Sequence, residues 1–319
     1  VEEFATKGIK TGIYANTTLL GGFCWCAKCG ARYGKGDTGK GRTRRSVYKC
    51  YSRHKKVKSM IKDPNCKNKT WEIPDIAEKP KRITRSDKKF TLLDILREEK
   101  SARLSGGIYH RVQIDLTYNS NHIEGSKLTH DETRYIFETN TIGLSERAVN
   151  VDDIIETANH FRCIDYMIDN AHLALSEKYI KELHFLLKSG TSDSRLDWFA
   201  VGDYKKVPNE VGGKDTTAPE DVADAMKKLL ADYNSSEEKS LSDILDFHSR
   251  FECIHPFQDG NGRVGRLLLF KECLKYNIVP FVIDENLKMF YYRGLTEWPR
   301  EKGFLTDTCL SAQDTFKSW

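Results

Sequence analysis

Residues 255–266 read His-Pro-Phe-Gln-Asp-Gly-Asn-Gly-Arg-Val-Gly-Arg, which puts a titratable base, an acid, small residues and two arginines within twelve positions. His255 is a base that titrates near neutral pH, and Asp259 is an acid. Apolar residues recur at three-to-four spacing over Leu241–Phe251 and again over Arg263–Lys275, so Asp259–Gly262 is expected to be a loop opening the second of two helices. The first amides of a helix have no partner within it, and the helix dipole favours an anion there. Gly260 and Gly262 allow positive φ and close backbone approach, the conditions for cradling a phosphate. The plainer alternative is a turn at His255-Pro256, an ordinary loop, and Arg263 and Arg266 on a solvated face.

A second cluster lies near the start of the chain. Five of the nine cysteines fall between Cys24 and Cys66, and Cys26, Cys29, Cys50 and Cys66 form the pattern C-x2-C-x20-C-x15-C. Four thiolates suffice for a closed tetrahedral zinc site, and a short glycine-rich unit with little apolar content needs such a staple to fold. Cys24 competes for the first pair, His54 is a weaker alternative ligand, and disulfides are the rival reading outside a reducing compartment. Cys163, Cys253, Cys273 and Cys309 sit in apolar, helix-like stretches and are expected to be buried thiols without a role. The histidines 110, 122, 130, 160, 172, 184 and 248 lack comparable neighbours in sequence and read as structural or exposed.

The elements that must position these residues follow from periodicity. Asp94–Ser105, Thr129–Glu138, Val151–Asp169, Glu177–Lys188 and Pro219–Tyr233 join the two helices above, giving at least seven. Pro219 with Glu220 and Asp221 suits a helix start, and Gly190 suits a stop. Tyr204–Val211, broken at Pro208-Asn209 and followed by Gly212-Gly213, reads as a hairpin. Upstream, closely spaced glycines and the β-prone stretch Arg44–Tyr51 suit a small ribbon. Pro74, Pro80 and a basic run mark a boundary near residue 88.

Charge divides the chain at the same place. Residues 1–90 hold 23 Lys and Arg against 8 Asp and Glu, and the remainder holds 28 against 38, a net +15 followed by −10 within an overall +5. Two units with different partners are implied. No run of about 18 apolar residues occurs, which argues against a membrane span. Val1–Lys10 carries acidic groups where an export signal would be basic, so a cytoplasmic protein is expected.

The segment from His255 to Arg266 resembles the signature of the Fic family, with His255, Phe257, Asp259, Gly260, Asn261, Gly262, Arg263 and Arg266 standing where that pattern wants them. The resemblance implies AMP transfer from ATP to a Ser, Thr or Tyr hydroxyl of a target protein, or of the protein itself. His255 would take the hydroxyl proton, and Asp259 would hold Mg²⁺ between the α- and β-phosphates. Asn261 and the glycine amides would stabilise phosphate charge, Arg263 would contact the β-phosphate, Arg266 would reach the γ-phosphate, and Phe257 would plug the loop. Val201–Gly213 resembles the family's flap, which docks the target as an added strand; Tyr204, Val207, Val211 and Gly212 are its candidate docking residues. Lys205 departs from the arginine expected shortly after the flap glycine. Ser120-Asn121-His122-Ile123-Glu124-Gly125 resembles the family's inhibitory motif, so Glu124 would pair with Arg266, Ser120 would anchor the helix locally, and Gly125 would end it.

The N-terminal cysteines with Thr18–Gly22 and Tyr48–Cys50 resemble the zinc β-ribbon of large serine recombinases, a role in DNA binding that the +15 excess suits. The reading as a whole is a mostly α fold: a zinc β-ribbon over residues 1–72, a linker over 73–87, and over 88–319 a Fic-type helical bundle with an N-terminal inhibitory helix and a short hairpin flap. Its expected ligands are Mg²⁺ with ATP and structural Zn²⁺. Alternatives are removal of AMP or transfer of another nucleotide at the same site, and, from a different class, a DNA-binding regulatory protein with minor activity.

Overall fold

The computed structural model describes residues 33–38, 45–50, 71–72, 90–143 and 148–319. The chain divides into two units, Val1–Lys88 and Lys89–Trp319. In the first, β1 (Tyr33–Thr38), β2 (Arg45–Cys50) and β3 (Trp71–Glu72) form an antiparallel sheet in the order β1-β2-β3, with Tyr33 opposite Cys50 and Tyr48 opposite Trp71. The expected strand at Arg44–Tyr51 is therefore present as β2. Cys26, Cys29 and Cys66, with Cys24 and His54, lie outside the described residues, and so does the zinc reading that rests on them.

The second unit is helical. Its described elements are α1 (Leu92–Ala102), α2 (Ile108–Ile123), α3 (His130–Thr139), α4 (Val151–Asp169), α5 (Glu177–Lys188), the two-stranded β4 (Glu210–Val211) and β5 (Lys214–Asp215), α6 (Val222–Asn234), α7 (Leu241–Ile254), α8 (Asn261–Lys275), α9 (Lys288–Glu297) and α10 (Gly303–Lys317). Local chemistry sets many of the ends. Thr91 with Asp94, Thr129 with Glu132 and Ser240 with Asp243 form reciprocal capping boxes that fix the starts of α1, α3 and α7. Pro219 opens a 3-10 turn that runs into α6. α4 and α5 match their expected bounds. α2, α9 and α10 were not among the seven read from periodicity, although Leu305, Cys309, Ala312 and Phe316 of α10 are buried at four-and-three spacing.

α8 is the axis of the bundle. Every residue from Arg263 to Leu274 is buried, so the helix is enclosed all round rather than amphipathic. The main core gathers Val264, Leu267, Leu268 and Phe270 of α8 with Leu183 and Leu187 of α5, Phe247 and Phe251 of α7, and Ile164 and Met167 of α4. A second cluster packs Leu269 and Cys273 against Ile244, Tyr291, Trp298 and Leu305, and so seats α9 and α10 on the other side. A rigid, buried α8 places its own N-terminus, and everything attached there, with little freedom.

Cys163, Cys273 and Cys309 are buried free thiols, as expected, but Cys253 is exposed. It falls on the side of α7 turned away from Phe247 and Phe251, which face the core. His160, His184 and His248 are buried, and burial pushes each imidazole down to about 3. Between that value and about pH 6.5 the unfolded chain binds protons that the folded chain refuses. Their contribution to stability is therefore full above about pH 6.5 and is lost as pH falls, by up to about 1.4 kcal/mol per pH unit for each ring. The urea midpoint is expected to be lower at pH 5 than at pH 7; equal midpoints would show that these rings are not held neutral.

Candidate active site

His255 follows the last turn of α7 as its left-handed C-cap, with φ of 52° and its N–H on the Phe251 carbonyl. That conformation reverses the chain into a loop of five residues, which ends at Gly260, φ 81°, the residue before α8. No side chain caps α8. The loop is closed on itself by Asn261, whose Oδ1 accepts the Phe257 N–H at 2.8 Å and whose Nδ2 donates to the Phe257 carbonyl at 2.8 Å. Both ends of the Asn261 amide are thus committed to holding the loop, where the sequence suggested a contact to phosphate. Phe257, for which the resemblance implied a plug, is fully buried and stacked face to face on His184 at 3.9 Å.

α5 is the floor beneath this loop. A Cβ added at Gly260 would meet Leu187 at 3.3 Å and His184 at 3.6 Å, so the loop lies on the helix where a glycine is needed for both φ and space. The His184 ring also bolts the loop to the chain beyond α5: Nδ1 accepts the Gly202 N–H at 2.9 Å, which leaves Nε2–H to donate to the Asp259 carbonyl at 3.1 Å. Sequence reasoning had placed His184 among histidines without a site role. Its partners lie 18 and 75 residues away, a relation that no local spacing reveals. His184→Ala removes the stack and both hydrogen bonds, and is expected to lower the unfolding free energy by about 2–4 kcal/mol. A urea titration checks this; a loss below about 1 kcal/mol would show that the loop does not depend on the ring.

The charged groups around the loop are heavily paired. Asp259 Oδ2 accepts from Lys188 Nζ at 2.7 Å and from Arg263 Nη2 at 3.0 Å. Desolvation by the surrounding protein would by itself raise the carboxyl, but these two cations hold Asp259 well below the usual carboxylate range. Arg263 also donates from Nη1 to Glu156 of α4. Arg266 is 5% exposed. Its Nη2 donates to Glu124 Oε1 at 2.6 Å and to the Ser120 carbonyl at 3.0 Å, and its Nε donates to Ser120 Oγ at 3.0 Å. Ser120 therefore binds Arg266 across the chain instead of anchoring its own helix. Glu124 closes α2, followed by Gly125 at φ 101°, and its carboxylate lies where a Cβ on Gly262 would stand, against the opening turn of α8. Burial first, and then the nearby Lys205 ammonium, push the His255 imidazole down to about 4. It is therefore neutral at pH 7 and able to accept a proton.

Residues 174–272, which hold this loop and its floor, match the model of the Fic/DOC family. This segment is similar to Fic domains. Similar proteins include the protein adenylyltransferases Fic of Drosophila grimshawi and Drosophila melanogaster, each 28% identical over 185 residues, covering 56% of this chain and 36% of the relative. The chain thus spans about a third of the length of the curated relatives it matches. In fold, it is similar to a Fic domain containing signaling protein from Bacteroides thetaiotaomicron, with a TM-score of 0.57 and 22% identity over 70% of this chain and 92% of that one. Fic-1 from C. elegans gives a TM-score of 0.56 with 18% identity, over 71% and 69%.

The stretch expected to be the Fic domain's hairpin is shorter and shifted. Only Glu210–Val211 pairs, with Lys214–Asp215, around Gly212-Gly213. The earlier residues spend their backbone groups on the loop between α7 and α8: Lys205 N–H donates to the Pro256 carbonyl at 2.9 Å and Val207 N–H to Gln258 Oε1 at 3.3 Å, while Pro208 has no N–H to give. Lys205, the departure from the expected arginine, is buried and donates to Asn209 Oδ1 at 2.7 Å and Thr216 Oγ1 at 2.5 Å. Asn209 in turn donates to the Phe257 carbonyl at 2.9 Å. Tyr204 points its hydroxyl to Glu177 at 3.0 Å, whereas Val207 and Val211 are exposed. Sequence reasoning missed Glu156, Lys188, His184 and Lys205 as parts of the site. The one local signal was Lys188 following His184 by one helical turn on the face that meets the loop.

Proposed function

We propose that this chain is a protein adenylyltransferase, which moves AMP from ATP to a hydroxyl of a target protein and is held back by Glu124. The observation that carries the reading is a neutral imidazole, His255, fixed by a closed loop five residues ahead of an uncapped helix N-terminus. A base beside an anion-binding turn suits attack on a phosphorus centre. His255 accepts the proton of the target hydroxyl as its oxygen bonds to the α-phosphorus. The bond from that phosphorus to the bridging oxygen breaks, and pyrophosphate leaves. The amides of α8 and its positive end stabilise the charge that gathers on the phosphate oxygens.

The donor set fits a nucleotide-borne Mg²⁺. Among the described residues no cluster of three or more His, Cys, Asp or Glu side chains is built to hold a metal. Mg²⁺ commonly uses one or two carboxylates with substrate phosphates and water, and the Asp259 side chain is 48% exposed on the loop. When bound, the ion would neutralise charge on the α- and β-phosphates, with Asp259 holding it. Arg263 keeps Asp259 and Glu156 in place, and Arg266 is the cation that Glu124 withholds from the end of the polyphosphate. Val207, Val211 and the Gly212 turn are proposed to receive the target segment as an added strand.

Incubating the Glu124→Gly protein in a lysate with labelled ATP, GTP, UTP and CTP, and mapping modified peptides by mass spectrometry, tests this reading. AMP on Ser, Thr or Tyr peptides is expected. Labelling from another nucleotide, loss of pre-existing AMP, or no modification at all would each contradict it.

A further inference from the structure

Lys188 is the one charged side chain of the floor helix α5 that is sealed from water, at 2% exposure, and its ammonium lies among three carboxylates. Nζ is 2.5 Å from Glu156 Oε1, 2.7 Å from Asp259 Oδ2 and 3.2 Å from Asp193 Oδ2. Arg263 bridges two of the same acids, Glu156 and Asp259. Two cations thus face three carboxylates, one excess negative charge around the Asp259 carboxylate, and both cations grip its Oδ2. The groups come from α4, α5, the turn after α5, the catalytic loop and α8, so the arrangement is built by the fold and not by one segment.

We propose that Lys188 is a positioning residue that acts through Asp259: it orients the carboxylate and, as a fixed positive charge behind it, limits how strongly that carboxylate draws in a divalent cation. The inference rests on the reading of Asp259 as the carboxylate that meets a nucleotide-borne cation. An ammonium so close to the carboxylate repels any second cation bound to it, and enclosure strengthens the repulsion. The same ammonium keeps the carboxylate from rotating, which the alignment of a reacting phosphate needs. Charge and orientation therefore pull in opposite directions when Lys188 is removed. A role in packing alone predicts no such split.

The test titrates Mn²⁺ into the full chain with a non-hydrolysable ATP analogue, followed by electron paramagnetic resonance, for the parent, Lys188→Arg, Lys188→Met and Glu156→Gln. Lys188→Met takes the cluster to two excess negative charges and is expected to bind Mn²⁺ about tenfold or more tightly than the parent. Glu156→Gln neutralises the cluster and is expected to bind about tenfold or more weakly. Lys188→Arg keeps the charge and should stay near the parent. Measured in the Glu124→Gly background, Lys188→Met is also expected to transfer AMP about tenfold or more slowly in spite of its tighter cation. Unchanged or weaker Mn²⁺ binding by Lys188→Met, or tighter binding by Glu156→Gln, would overturn the proposal. If Lys188→Met does not fold, the Glu156→Gln and Lys188→Arg results decide it. The Mn²⁺ series needs no transfer, so the expected order in chains that move no AMP would support this inference while sinking the transfer reading.

Discussion

Glu124→Gly is expected to raise the rate of AMP transfer by about 10- to 100-fold, because it frees both a cation and a space. The cation is Arg266, whose bond to the Glu124 carboxylate spans 2.6 Å with one partner enclosed and the other partly exposed. Hydrogen bonds to charged groups contribute about 1.5–3 kcal/mol, and about 1.4 kcal/mol is a factor of ten. The space is the one beside Gly262, where the Glu124 carboxylate lies against the first turn of α8. A helix N-terminus that favours anions is therefore already facing one, and ATP must bring its phosphates in against that charge. Glycine at 124 leaves the chain reversal intact, since the left-handed turn is at Gly125. Comparing initial rates of the two proteins at fixed ATP checks the expectation. Equal rates would mean that the pair is a packing feature, with Arg266 serving the same end with or without its partner.

His255→Ala, made in the Glu124→Gly background so that transfer is measurable, is expected to reduce the rate by about 10²–10⁴-fold. The ring is poised for this role by its surroundings. Burial and the Lys205 ammonium push its pKa down to about 4, so at pH 7 nearly all molecules carry the base in its proton-accepting form. Transfer should then stay level from pH 8 down to pH 6, with its acid limb well below the ordinary histidine range. Nucleotide binding should survive the substitution, since no bond in the loop closure runs through the imidazole: Asn261 and Phe257 close it, and His184 floors it. A variant that retains transfer would remove His255 as the base. A variant that loses nucleotide binding as well would recast the ring as a structural part of the loop.

Much of this site was legible because its chemistry is local. The base, the glycines and the loop clamp fall within eight residues, 255–262, and short spacing survives in sequence. Helices α4 and α5 were legible to the residue because apolar spacing, caps and glycine stops agree there. What escaped was non-local. Glu156 and Lys188 lie 103 and 71 residues before Asp259, and nothing near either one announces a partner. Helix α8 shows the limit of periodicity: it was found, but as a helix with one apolar side, whereas enclosure all round makes its buried Arg263, Arg266, Lys271 and Glu272 seek partners inside the fold. The hairpin was misplaced for a similar reason. β-prone residues from Tyr204 onward could pair with a strand, but the loop between α7 and α8, remote in sequence, takes their hydrogen bonds. The part Asn261 plays in closing the loop was not legible: its Oδ1 and one Nδ2 hydrogen are spent on the Phe257 backbone.

On the proposed reading, the group transferred is the nucleotide's α-phosphoryl with its nucleoside, through the His255 loop. Parallel reactions of the Glu124→Gly protein with ATP labelled at the α-phosphate and with ATP labelled at the γ-phosphate distinguish this from phosphoryl transfer. Label on protein from the α-position alone, and none from either position once His255→Ala is added, is the predicted result. Label arriving from the γ-position, or α-label that persists without His255, would contradict it.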